Sequence, residues 1–270
     1  MSTFRYFTIF IFLCATVSVT EAQHLADSLF RAGCYSKAAM EYERMVFEAQ
    51  SRDEVLNALL GKAQCQKAMG HYADAASTLK RTAVTEATLA QLLVCLYLSE
   101  QYHEAAQLFE DYMIESDSID NSLLLIYIFT LNELYRYNDS HAAALELAGR
   151  CRVIDALLVD SIYSLAPKQK KEQTAQWLSI VPGLGHLYAG YPLEALTALL
   201  LNGAALGFGV WQVFKSCYFT AWLGGAGLLA STYPGNMTSA KLHVRKRNFH
   251  RNDSFNRMCK EKLTAAFTTP

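Results

Sequence analysis

What the chain lacks narrows it first. Its formal net charge is −1 at pH 7, so no footprint for nucleic acid is expected and any electrostatic role must come from local clusters. Its cysteines fall at Cys14, Cys34, Cys65, Cys95, Cys151, Cys217 and Cys259, with no CxxC pair and no histidine at zinc-ligand spacing. No metal or other cofactor is therefore expected. Single cysteines on helix faces usually serve as small core residues, so disulfide pairing is not expected either. The chain has no Ser/His/Asp order, no phosphate-binding glycine loop and no carboxylate pair set up for catalysis. The common enzyme signatures are absent, and the reading is non-enzymatic.

What is present is unevenly distributed. Hydrophobic residues make up 52% of the sequence, and their densest stretch runs from Leu193 to Tyr233. That pattern predicts a soluble domain joined to a membrane segment. At the N-terminus, Arg5 precedes an apolar core from Phe7 to Val19, and Thr20-Glu21-Ala22 closes it with small residues where a signal peptidase cuts. Residues 1–22 read as a secretory signal peptide. The alternative is an uncleaved anchor helix, against which Glu21 ends the apolar run early. Cys14 follows Phe12-Leu13 rather than a small residue, which argues against a lipoprotein cleavage site.

An internal repeat organises the first half. Gly33-Cys-Tyr35-Ser-Lys-Ala38-Ala-Met-Glu-Tyr42 is echoed by Gly70-His-Tyr72-Ala-Asp-Ala75-Ala-Ser-Thr-Leu79 and by Glu100-Gln-Tyr102-His-Glu-Ala105-Ala-Gln-Leu-Phe109. A weaker fourth copy places Ala143 in the alanine position and Leu147 at the end. The alanine intervals are 37, 30 and 38 residues, and each copy follows a helix-period apolar segment. The pattern describes helical hairpins: a turn residue, a wedging aromatic, a small residue where helices approach closest, then a large one. Over about residues 24–165 these segments resemble tetratricopeptide repeats, without the consensus Trp and later Pro, and without Gly in the third and fourth copies. The resemblance implies an all-α solenoid that binds a protein partner or a second copy of itself. The charged residues here, among them Glu41, Glu43, Arg44, Asp74, Lys80, Arg81, Glu104 and Asp111, alternate in sign as solvated helix faces do.

The repeat domain, 23–165, is expected to end at a basic linker, 166–173, containing Pro167, Lys168, Lys170 and Lys171. A membrane domain, 174–240, and a basic C-terminal tail, 241–270, should follow. Leu193 to Phe214 is long enough for one bilayer crossing and Cys217 to Tyr233 is at the lower limit, with Lys215-Ser216 as the turn of a helical hairpin. Gly203, Gly207 and Gly209 on the first span, with Gly224, Gly225 and Gly227 on the second, are expected to allow close contact. Asn202, Gln212 and Thr220 should then hydrogen-bond to protein rather than face lipid.

Ahead of that hairpin stands Val181-Pro-Gly-Leu-Gly-His-Leu-Tyr-Ala-Gly190, whose proline and glycines disfavour a continuous helix. The expected role is a bent interfacial approach, with Trp177, His186, Tyr188 and Tyr191 at headgroup depth. The segment 174–250 resembles small bacterial membrane domains of the TM2 style, which open with Pro-Gly-x-Gly-x-x-Tyr-x-Gly. The matching residues are Pro182, Gly183, Gly185, Tyr188 and Gly190, with Tyr233, Gly235, Asn236, Ala240 and Asn248 after the second span. His186 stands where the pattern has Gln. The resemblance implies architecture rather than chemistry. His186 and Glu194 are the ionisable residues in this region able to do acid–base work, though interfacial anchoring is the simpler role.

Two topological signals disagree. A cleaved signal exports the repeat domain and leaves both ends of the hairpin outside the cytoplasm. Yet Lys168, Lys170 and Lys171 precede it and Lys241, Arg245, Lys246, Arg247 and Arg251 follow it, against Lys215 alone in the turn. The positive-inside rule would put both flanks in the cytoplasm. The signal peptide is favoured, with the repeat domain periplasmic at a bacterial inner membrane and the basic tail on anionic headgroups. A third crossing through the Pro-Gly motif, and a cytoplasmic adaptor lacking a translocation signal, are the alternatives.

Overall fold

The helices form where the sequence supplies their ends. The computed structural model describes residues 23–82, 85–115, 119–151 and 154–268, and these contain helices and connections but no strand. The expected signal peptide lies outside the described residues. Two compact units divide between Val159 and Asp160.

In the first unit, α1 (residues 23–31), α2 (Tyr35–Glu48), α3 (Arg52–Ala68), α4 (Tyr72–Leu79), α5 (Glu86–Leu98), α6 (Tyr102–Glu115), α7 (Asn121–Glu133) and α8 (Tyr137–Arg150) follow one another, and from α2 onward each packs on its successor. The starts of α3, α5 and α7 are capped by side chains. Ser51 accepts from the Glu54 amide at 3.2 Å, Thr85 and Thr88 form a reciprocal capping box, and Asp120 accepts from the Ser122 amide at 3.2 Å. Each cap satisfies an amide that the helix geometry leaves without a partner.

The turns share one geometry. Gly33, Gly70, Glu100 and Tyr135 adopt positive φ of 76°, 77°, 61° and 60°. At each, two amides bond back over the helix end, as in Cys34 N–H to Leu29 C=O at 2.9 Å and Gly33 N–H to Phe30 C=O at 3.0 Å. This is the Schellman arrangement. Two residues after the positive φ stands Tyr35, Tyr72, Tyr102 or Tyr137, and five residues after it a buried small residue: Ala38, Ala75, Ala105 or Ser140.

The fourth turn therefore begins three residues earlier than the alanine spacing implies, with Ser140 and not Ala143 in the small position. Ser140 fits because its hydroxyl donates to the Ile128 carbonyl at 3.0 Å, which satisfies the polar atom at full burial. Ala143 remains buried one turn along α8.

Between these turns the core is large and apolar. Phe109, Leu59, Leu79, Leu93 and Leu131 are fully buried, and Phe109 stacks on Tyr127 with ring centroids 4.3 Å apart. Tyr42 is also buried, and a Cβ on Gly61 would come within 2.5 Å of its ring, so glycine on α3 admits the aromatic from α2. Glu43 ties three segments, accepting from Lys62 at 2.8 Å and Arg81 at 3.1 Å.

The second unit contains the end of α9 (Ala156–Tyr163), α10 (Glu172–Leu178), α11 (Leu184–Ala189), α12 (Pro192–Phe214), α13 (Tyr218–Thr220), a π-helical segment (Ala221–Ala226) and α14 (Gly227–Thr268). The boundary falls inside α9, earlier than the expected linker, because Tyr163 packs edge-on to Phe255 of α14 at 5.8 Å. Residues 166–171 are irregular yet held in place. Asn248 donates to the Lys170 carbonyl at 2.8 Å and accepts from the Lys170 amide at 3.1 Å.

α12 is the described helix long and apolar enough to cross a membrane. The second apolar stretch does not stop at Tyr233. It continues through Pro234, and residues expected as a basic tail from 241 belong to the same helix as far as Thr268. They remain helical because Ala240, Val244, Phe255, Cys259 and Leu263 recur at helical spacing and are all buried. Among the described residues Cys34, Cys65, Cys95, Cys151 and Cys217 form no disulfide.

Candidate functional site

The Pro-Gly motif folds into the short helix α11, bracketed by two glycines in the left-handed region, Gly183 at φ 91° and Gly190 at φ 89°. Both are required by contact as well as by φ. A Cβ on Gly183 would lie 2.6 Å from the Ala195 carbonyl oxygen, and one on Gly190 would overlap the Arg247 guanidinium. Gly185 is closed in from three sides, by Ser179, the Ala175 carbonyl and the Ala240 methyl. Glycine at these positions is therefore a packing requirement of α10, α11, α12 and α14 together.

α14 supplies the other half of the site. Tyr233 donates from its hydroxyl to the Ile180 carbonyl at 2.8 Å, Ala240 packs against Gly185, and Arg247 donates to the Ala189 carbonyl at 2.8 Å. Tyr188 accepts from the Lys171 amide at 3.2 Å, while the Lys170 ammonium lies 4.9 Å over the Tyr188 ring and donates to its carbonyl. Pro182 is half-buried ahead of α11. Gly235 is exposed with open space where a Cβ would be, and the Asn236 side-chain nitrogen is buried without a hydrogen-bond partner among the described residues. Gly185, Tyr188, Gly190, Tyr233, Ala240 and Asn248 thus all take part in seating residues 170–190 on α14, while Gly183 packs against α12.

His186 is placed otherwise than an interfacial anchor requires. Its ring is 3% exposed and turns inward to His243, with centroids 5.5 Å apart, while Tyr191 lies 4.2 Å from the His243 ring. Burial, helped by the nearby His243 and opposed by Glu194, holds the His186 imidazole below its usual 6.5. Its Nδ1 has no hydrogen-bond partner among the described residues. The ring is turned inward because the bracketing glycines aim this face of α11 at α14. Trp177, by contrast, is 72% exposed.

On α12 the glycine expectation divides. Gly209 and Gly225 make the close approach, where a Cβ on Gly225 would come 2.6 Å from the Gly209 Cα, and Gly224 lies beneath the Phe208 ring. Gly203 and Gly207 meet nothing within 4 Å, and Gly227 meets only the Trp222 carbonyl, at 3.8 Å. Asn202 donates to the Ala198 carbonyl at 2.7 Å and accepts from Thr232 at 3.1 Å, and Thr220 donates to the Cys217 carbonyl at 2.8 Å. Gln212 has no such side-chain bond among the described residues. The pairings 209 with 225 and 202 with 232 mean that α12 and the helix after it run antiparallel.

The turn between them repeats the pattern of the first unit. Ser216 has φ 58°, the Cys217 amide bonds to the Gln212 carbonyl at 2.9 Å, Tyr218 follows two residues after the positive φ, and the buried Ala221 follows after five.

Among the described residues no group of three His, Cys, Asp or Glu side chains is placed to hold a metal ion. No family model matches the chain, and neither characterised proteins nor solved structures give a match.

Proposed function

We propose that this chain is a non-enzymatic, membrane-anchored scaffold of the bacterial cell envelope. Its tetratricopeptide-like repeats project into the periplasm and bind a protein partner or a second copy. α12 and the first part of the helix after it form a glycine-rich transmembrane hairpin of TM2 style.

The observation that carries this reading is the radial sorting of α12. Its buried stripe is Ala195, Ala198, Asn202 and Ala205, while Leu193, Leu200, Trp211 and Phe214 are each at least 60% exposed. Water would drive those large side chains inward; hydrocarbon does not, and it favours small residues where helices touch. On the repeat unit, Met40, Phe47 and Ile114 are 66%, 82% and 84% exposed and offer apolar positions to a partner.

Alkaline carbonate extraction of membranes tests the anchor: the full chain should stay in the pellet, and release into the supernatant would remove the proposal. A photocrosslinking residue at Phe47 tests the scaffold, which predicts a discrete adduct, with a partner or between copies, that is lost when Met40→Glu is added seven residues earlier on α2.

A second reading has its own observation. The buried, unpartnered Nδ1 of His186 beside His243 supports a membrane enzyme or transport accessory that uses His186 and Glu194. The double substitution His186→Gln with Glu194→Gln separates the two: a scaffold keeps its crosslink and phenotype, whereas a polar-site protein inserts normally and loses function.

A further inference from the structure

A cavity of about 450 Å³ in the second unit has a lining with one sign of charge. Its volume falls within the roughly 300–1,000 Å³ range of small-ligand sites. Arg247, Arg251 and Ser254 reach it from successive turns of α14, and His250 joins them. Pro167, Phe255 and Met258 make the apolar wall, and no carboxylate lines it.

Among the described residues neither Arg247 nor Arg251 has a carboxylate partner. Arg251 has no hydrogen bond or ion pair among the described residues. Arg247 donates to a backbone carbonyl rather than to a carboxylate. The neighbouring Glu172 is already engaged by Arg245, in two bonds of 3.0 and 2.9 Å. Lys170 registers the same field: desolvation, then the charges of Arg247 and Arg251, push its ammonium below the usual lysine range. Concentrated positive charge with no anion of its own attracts one, and paired guanidinium groups suit phosphate oxygens.

We infer that this cavity binds a phosphate group, and that its usual source is the headgroup of an anionic phospholipid. Two features select the lipid over free phosphate. Tyr191 lines the cavity and immediately precedes Pro192, where the apolar helix α12 begins, so the mouth lies at headgroup depth. The wall of Pro167, Phe255 and Met258 gives the glycerol and upper acyl chain a surface that inorganic phosphate does not need. The lipid source rests on the membrane reading above; the phosphate site does not.

The test uses the full chain in dodecyl maltoside micelles, with its thermal midpoint followed against dioctanoyl-phosphatidylglycerol, dioctanoyl-phosphatidylcholine and sodium phosphate. Phosphatidylglycerol should raise the midpoint saturably and phosphatidylcholine should not. Arg251→Gln should require on the order of ten-fold more phosphatidylglycerol for the same rise, and Arg251→Lys should recover part of the loss. Arg251 is exposed and has no hydrogen bond or ion pair among the described residues, so the ligand-free midpoint should be little changed. An unaltered titration in Arg251→Gln, or no response to phosphatidylglycerol or phosphate, overturns the site. Saturation by sodium phosphate at concentrations as low as those of phosphatidylglycerol keeps the site and overturns the lipid source. Flotation on phosphatidylcholine liposomes runs in parallel, and failure to float there is a failure of the membrane reading alone.

Discussion

In the first unit Phe109, Leu59 and Leu131 are buried, and the charged residues Glu43, Arg81 and Glu104 are at or near the surface; in the second Ala195, Ala198 and Ala205 are buried and Leu200, Phe208 and Trp211 lie outside. Both units nonetheless use the same hairpin turn, with positive φ, an aromatic two residues on and a buried small residue at the fifth. The same turn chemistry therefore serves two units whose large side chains point in opposite directions, and on the proposed membrane reading that direction reflects the medium around each unit.

Core truncation should separate the units most sharply. Phe109→Ala removes a fully buried, stacked ring and should cost about 3–5 kcal/mol, while Leu200→Ala in detergent should cost under about 1 kcal/mol, both read by denaturant titration. Equal costs would erase the contrast. Next is helix approach. Gly225→Leu should destabilise the second unit by about 1–3 kcal/mol, because its side chain must displace the Gly209 backbone, whereas Gly203→Leu, facing open space, should be nearly neutral.

The shared turn predicts a smaller effect of the same sign in both units. Tyr135→Gly and Ser216→Gly relieve positive φ and should each stabilise by up to about 1 kcal/mol, and Gly70→Ala should destabilise by about as much.

The smallest effects are in acid. Lys62, then Arg81, holds the Glu43 carboxyl below the usual carboxylate range. Its contribution is present above its unfolded value and fades as pH falls through the folded one, so Glu43→Gln should flatten the acid limb of the first unit. His186 is likewise depressed: the unfolded chain takes up its proton first, and stability of the second unit should fall as pH drops below about 6.5. His186→Gln should remove that slope.

Much of this was legible in the residues, and the misses have physical causes. Gly33 and Gly70 announce their turns because glycine takes positive φ freely, but Glu100 and Tyr135 do the same work without advertising it. The fourth register slipped because Ala142, Ala143 and Ala144 offer an alanine at several offsets, while Ser140 fills the slot through a hydrogen bond that only tertiary structure supplies. Gly203 and Gly207 have the right spacing and the wrong face. The inward turn of His186 depends on contacts more than fifty residues away along the chain, and the basic stretch after Tyr233 hides its buried stripe among charges. The convergence of Gly185 on Ala240, and of Lys170 on Asn248, was not visible from spacing.

The anchor is the central claim, and the most direct test is the sidedness of two exposed cysteines, Cys34 in the turn before α2 and Cys217 in the turn after α12. Each would be kept as the sole thiol and exposed to a membrane-impermeant maleimide in spheroplasts, before and after permeabilisation. The account predicts labelling of Cys34 in intact spheroplasts and of Cys217 only after permeabilisation. The reverse pattern would keep the crossing and invert its orientation; labelling of both before permeabilisation would contradict a membrane-spanning hairpin.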